Sequence, residues 1–138
     1  MNCKKLILAT VLGFVVMFLI SGLWYLIIMK GYYNEQFSEV FRQESKMIWI
    51  AIGYLVGAFL LALIYPIGYK GGAPMNEGLR FGILMGLLIA LPMGLTLYGV
   101  YTIPLIPTII NIVYQVVEKG IGGLFIGLVY GKSSKSAS

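Results

Sequence analysis

Four apolar stretches, each about 20 residues long, divide this chain. They cover residues 6–28, 47–65, 78–98 and 109–130. A helix rises about 1.5 Å per residue, so each stretch can cross roughly 30 Å of hydrocarbon once, and none can cross twice. A soluble domain of 138 residues has no way to hide a chain that is 59% hydrophobic, so the excess must face lipid. The expected fold is all-α: a polytopic membrane protein whose single domain, residues 1–138, is a four-transmembrane-helix bundle.

Charge sets the orientation. The net charge is +5, but the basic residues sit at the ends of the apolar stretches and form no cluster of the kind that binds nucleic acid. With the amino end inside, the inner segments hold Lys4, Lys5, Lys70, Arg80, Lys132 and Lys135, against Lys30, Arg42 and Lys46 outside. The excess of Lys and Arg on one side predicts that both termini are cytoplasmic. The first stretch is too long for a signal peptide and no small-residue cleavage site closes it, so it reads as a retained signal anchor. In the first loop, residues 31–46, Tyr33, Phe37, Val40 and Phe41 recur at helical spacing among charged residues. This predicts a short amphipathic external segment on the membrane surface, or a solvated loop with a few aromatics. Asn76 is placed to cap the third helix, with Glu77 in its first turn.

Several chemistries are excluded by what is missing. The chain has no His and no Asp, which removes Ser–His–Asp triads, the usual zinc sites and His-ligated haem. A single Cys3 forms no internal disulfide. No cofactor or metal is implied, and no enzyme activity is expected.

In lipid, helices associate through close packing across small residues rather than through hydrophobicity. Gly53 and Gly57 in the second stretch, Gly78, Gly82 and Gly86 in the third, and Gly123, Gly127 and Gly131 in the fourth are each spaced four apart on one face. They predict interfaces within the bundle or between two copies of it. Pro92 predicts a kink in the third helix. Trp24, Tyr25, Trp49, Tyr65, Tyr98, Tyr101 and Tyr130 fall near the ends of the stretches, as an interfacial aromatic belt does. Residues 56–65 also resemble residues 121–130, as two parallel helical hairpins or apolar low complexity would produce.

The fourth stretch carries the candidate site. Asn111, Gln115, Glu118 and Gly122 are spaced 4, 3 and 4 apart, so they share a narrow arc of one helix face, extended outward by Thr108. Glu118 and Lys119 lie near mid-span, where charges are costly and normally face the bundle interior. Lys119 points about 100° away from Glu118, but its stem is long enough to curl back or to snorkel. Three readings stay open. The stripe is structural glue, with Glu118 bonding Tyr or Thr hydroxyls and Lys119. Alternatively it is a ligand site, Asn111, Gln115, Glu118 and Lys119 forming a polar cluster against an apolar cavity. Or Glu118 takes part in proton-coupled transport, since a buried carboxylate can exchange a proton.

The order of features resembles a group of small bacterial four-helix membrane proteins known only as a domain of unknown function. The likeness rests on Gly-Leu-Trp-Tyr at residues 22–25, the aromatic-rich loop that follows, and Ile-Asn-Ile-Val-Tyr-Gln at residues 110–115 before a Gly-rich end. In that group an acid and a His are common where this chain has Asn111 and Gln115. The resemblance therefore implies a fold and a bacterial inner membrane, and no activity. The small multidrug transporters are also four-helix proteins with a buried Glu, but theirs lies in the first helix, which here carries no charge beyond Lys4 and Lys5. The function expected is that of a non-enzymatic binding or accessory protein. The alternative is a small proton-coupled transporter using Glu118. The partners expected are the lipid bilayer, a small apolar or amphipathic ligand, and a second copy or another membrane protein.

Overall fold

The computed structural model describes residues 3–29, 31–37 and 46–131. Four long helices account for nearly all of them. Helix α1 spans Cys3–Gly22 and runs on as a π-helical segment, Leu23–Ile28. A five-residue helix, α2, covers Tyr32–Gln36. The remaining crossings are α3 (Met47–Gly68), α4 (Pro74–Val100) and α5 (Leu105–Tyr130). All four long helices are long and apolar enough to cross a membrane. Their outer faces carry side chains such as Leu19, Ile48, Leu88 and Ile106, each more than 60% exposed, which only lipid would cover at low cost. The chain is an all-α, four-helix, multi-pass membrane protein.

The helices extend past the apolar stretches where local chemistry allows. Asn76 does not cap α4. The helix begins two residues earlier, with Ala73 at the cap and Pro74 in the first turn, and the Glu77 N–H donates to the Ala73 carbonyl. Proline is preorganised for that position and its missing N–H is one that the first turn would leave unpaired anyway. Glu77 does sit in the first turn, where it also accepts the Lys70 backbone N–H at 2.6 Å and an Arg80 contact at 3.2 Å. This ties the α3–α4 connection to the helix start. Helix α4 stays continuous through Pro92. At the far end of α5, Gly131 takes φ +64°, a left-handed conformation that stops the helix. The Lys5 ammonium donates to the last α5 carbonyl, that of Tyr130, at 3.0 Å.

Helix α5 is central. One face meets α4, and the opposite face meets α1 and, less extensively, α3. The α4–α5 contact is backbone on backbone. A Cβ at Gly123 would stand 2.5 Å from the Gly78 carbonyl oxygen and 2.7 Å from the Gly82 Cα. One at Gly127 would stand 2.6 Å from the Pro74 carbonyl oxygen, and one at Gly86 2.9 Å from the Val116 Cα. Two of the small-residue faces expected from the sequence are therefore joined to each other. Gly131 is the exception in its set, since it ends the helix.

The third small face behaves otherwise. A Cβ at Gly53 or at Gly57 would meet nothing within 4 Å, so this face of α3 forms no interface within the described chain. The spacing is the same as on α4, but spacing marks only a capacity for close approach, and no helix approaches here. Gly57→Leu should accordingly leave the unfolding midpoint in detergent nearly unchanged, within about 0.5 kcal/mol. A large loss would mean that another chain covers this face.

The apolar core lies toward the end of the bundle that holds the α3–α4 turn. It packs Ala9, Ala58, Leu61, Tyr65, Ile126 and Tyr130. The Tyr65 and Tyr130 rings stack at 5.4 Å, and the Tyr130 hydroxyl donates to the Ala62 carbonyl at 2.7 Å. These two tyrosines were expected in the aromatic belt, and both are buried. The two segments that resemble each other in sequence bury matching positions: Ala58 with Gly123, Leu61 with Ile126, Ala62 with Gly127, Tyr65 with Tyr130. Of the other belt residues, Trp49, Tyr98 and Tyr101 are exposed, while Trp24 and Tyr25 turn inward. Of the first loop, residues 31–37 and 46 are among those described. Tyr33 and Phe37 fall within them, and Phe37 is buried. Val40, Phe41, Glu39 and Arg42 lie outside the described residues.

Candidate functional site

The polar stripe of α5 divides into two parts: Glu118 and Gly122 meet α3 and α1, whereas Asn111 and Gln115 border a cavity walled by α4. The inner part is sealed. Glu118 lies midway along α5 and is fully buried, with 0% exposure. Its Oε2 accepts the Tyr54 hydroxyl of α3 at 2.7 Å and also the Tyr114 hydroxyl, one turn earlier on α5. Its Oε1 receives the Lys119 ammonium at 2.5 Å. Lys119 starts out pointing away, as the helix geometry requires, and its stem curls back to reach the carboxylate. The ammonium also lies 5.5 Å from the centre of the Tyr54 ring, where the ring face attracts a cation. The charges therefore cancel locally, and one carboxyl group ties α3 to α5. Below it, the stripe ends at Gly122, where a Cβ would meet Met17 Cγ at 2.7 Å, so the stripe closes by packing against α1.

The outer part borders a cavity of about 600 Å³. Asn111 and Gln115, both half-buried, line it, and so do Thr108 and Ile112 from the same helix. The opposite wall is apolar and comes from α4 through Ile89, Met93 and Leu97. Tyr25 and Phe37 complete the enclosure from the α1 side. Met93 and Tyr101 line the cavity and are each more than half exposed, so the cavity opens at the surface of the bundle rather than into its centre. Its size is ordinary for a small-molecule site, and so is its makeup: mostly apolar, with a few convergent polar groups. Neither Glu118 nor Lys119 belongs to its lining. The four candidate residues thus fall into two pairs with different surroundings.

An aromatic wall separates the two parts. The Trp24 and Tyr114 rings stack at 4.9 Å with 6° between their planes, and Tyr25 meets Tyr114 edge-on at 5.4 Å. The Tyr25 hydroxyl donates to Asn111 Oδ1 at 2.8 Å. Two consecutive residues can both turn toward α5 because the helix widens here. The Met29 N–H reaches back five residues to the Trp24 carbonyl, which is the π-helical pattern.

Tyr54, Tyr114, Trp24 and Tyr25 are site residues that the stripe alone does not name. Tyr114 carries a signal, because it lies four residues before Glu118 and so within its reach. Tyr54 carries a weaker one, as a tyrosine well inside an apolar stretch where the belt does not explain it. Nothing in the residues 22–25 announces a π-turn. Among the described residues there is no group of His, Cys, Asp or Glu that would hold a metal ion. Comparison of the chain with protein families, with curated proteins and with solved structures finds no match.

Proposed function

We propose that this chain is a non-enzymatic membrane protein that binds a small amphipathic ligand in the cavity between α4, α5 and Tyr25, with the Glu118 cluster as the anchor that holds its walls in place. The observation that supports it is the division of the stripe. Asn111 and Gln115 border the cavity, while Glu118 is fully buried behind Tyr114 with its oxygens occupied. A proton-coupled transporter, the alternative, needs water to reach Glu118 from both sides. A carboxylate already paired with Lys119 and two phenols fits the anchoring role better.

Anything that binds the folded state alone raises its stability by mass action. A panel of single-chain amphipaths, with anionic, cationic and neutral heads, should therefore include at least one that raises the unfolding temperature of the purified protein. The same compound should lose its effect on Leu97→Trp, which narrows the cavity. If no amphipath discriminates between the two proteins, the cavity is not a binding site.

The setting proposed is a bacterial inner membrane with both termini in the cytoplasm. The Lys and Arg distribution supports the orientation, and the kinship with the small four-helix proteins, itself proposed, supports the compartment. In a Cys3→Ser background, an impermeant thiol reagent added to intact cells should label a cysteine placed at Ser38 and spare one at Ser136. The reverse pattern would overturn the orientation.

A further inference from the structure

We propose that the occupant of the cavity is an uncharged lipid with an oxygen-bearing head, of the acylglycerol kind, and that the side-chain amides of Asn111 and Gln115 hold that head. The inference rests on the cavity being a binding site and specifies what it selects.

Hydrogen-bonding capacity in the cavity is unevenly spent. The Tyr25 hydroxyl donates to Asn111 Oδ1, and the Thr108 hydroxyl donates to the Pro104 carbonyl at 2.7 Å. The Asn111 amide nitrogen and both ends of the Gln115 amide have no hydrogen-bond partner among the described residues. An amide nitrogen carries two N–H donors, so these two side chains offer four N–H groups and the one remaining carbonyl oxygen of Gln115. They are one helical turn apart on the same face of α5, beside a wall of Ile89, Met93 and Leu97. Leaving amides unpaired in apolar surroundings is costly. A donor-rich pair is best met by oxygens: an ester carbonyl for the N–H groups, and a hydroxyl for the Gln115 oxygen.

Charge decides the rest. No charged side chain lines the cavity among the described residues. The nearest ion pair, Glu118 with Lys119, is closed on itself at 2.5 Å behind the aromatic wall. Among the described residues of its lining an anionic head would find no cation and a cationic head no free carboxylate, and either would lose its hydration without compensation there. A neutral head meets no such cost. An apolar tail would leave past Met93, whose exposed side chain stands at the rim where the bundle surface meets lipid.

Trp24 reports on the cavity because it adjoins Tyr25 and stacks on Tyr114. The only other tryptophan is Trp49, so Trp49→Phe leaves a single emitter. The full chain, in phosphatidylcholine vesicles, is titrated with one dibromostearyl chain carrying three heads: a glycerol ester, a sulfonate and a trimethylammonium. The glycerol ester should quench Trp24 saturably, at a half-quenching mole fraction about tenfold below that of either charged probe. Asn111→Leu with Gln115→Leu should raise that fraction by about tenfold, the effect of losing two hydrogen-bonded groups. Gln115→Leu alone, which breaks no bond among the described residues, serves if the double variant fails to fold and should give a several-fold shift. If a charged probe quenches as well as the ester, or the amide variants change nothing, the neutral-lipid assignment is wrong while ligand binding stands. If every probe quenches without saturation, as bulk lipid would, the binding reading itself fails and takes this one with it.

Discussion

Gly82→Leu should pull α4 away from α5 and cost the bundle about 3 kcal/mol or more, at the upper end of what overpacking costs. The reason is what stands opposite. An added Cβ would meet the Lys119 carbonyl oxygen and come within 2.8 Å of the Gly120 Cα, and backbone has no other rotamer to adopt. Even Gly82→Ala should destabilise, by about 1–3 kcal/mol, although Ala exceeds Gly as a helix former by up to about 1 kcal/mol. A loss against that propensity isolates the packing term. Gly123→Leu should behave in the same way, since Gly78 and Gly82 face it. Unfolding in detergent measures all three, with Gly57→Leu as the neutral control. If Gly82→Leu unfolds like the parent, α4 does not pack on α5 along this face.

Glu118→Ala should be nearly as damaging, by about 3–5 kcal/mol, because it strands a buried cation. It leaves the Tyr54 and Tyr114 hydroxyls without their acceptor and the Lys119 ammonium, whose side chain is only 13% exposed, without its anion. Glu118→Gln distinguishes the parts. Considered from the stripe alone, Gln preserves shape and hydrogen bonding and should be nearly silent. The Lys119 contact at 2.5 Å changes that expectation. Gln still accepts from the tyrosines but leaves the ammonium unneutralised, so a cost between that of the parent and that of Ala should appear. Adding Lys119→Met should recover most of it, since a buried pair can be exchanged for apolar packing of similar volume far more cheaply than it can be broken. The order of unfolding temperatures should therefore be parent and Glu118→Gln/Lys119→Met highest, then Glu118→Gln, then Glu118→Ala. A Gln variant as stable as the parent would show that Lys119 draws little from the carboxylate. Pairing this series with proton uptake in proteoliposomes tests the transport alternative, which predicts uptake by the parent and none by the Gln variant.

Which segments cross the membrane was legible in the residues themselves, because crossing depends on the length and apolarity of a local stretch and on little else. The helices end a few residues beyond the stretches where local chemistry, such as Pro74 in a first turn, favours extension. The polar stripe of α5 was legible for a related reason. A helix repeats every 3.6 residues, so the spacing of Asn111, Gln115 and Glu118 places them on one face whatever surrounds them. What surrounds them was decided by tertiary structure. Lipid is as apolar as the side chains it touches, so hydropathy places a segment in the membrane but does not rank its faces. Gly57 and Gly82 sit in equivalent patterns, yet only Gly82 is covered. Tyr65 and Tyr98 both end apolar stretches, yet only Tyr65 is buried. The cavity required three separate chain segments to stop short of one another, and the π-turn at Leu23–Ile28 required the aromatics to find α5. Such outcomes depend on which helices meet and how closely, and residues far apart in the chain settle that jointly.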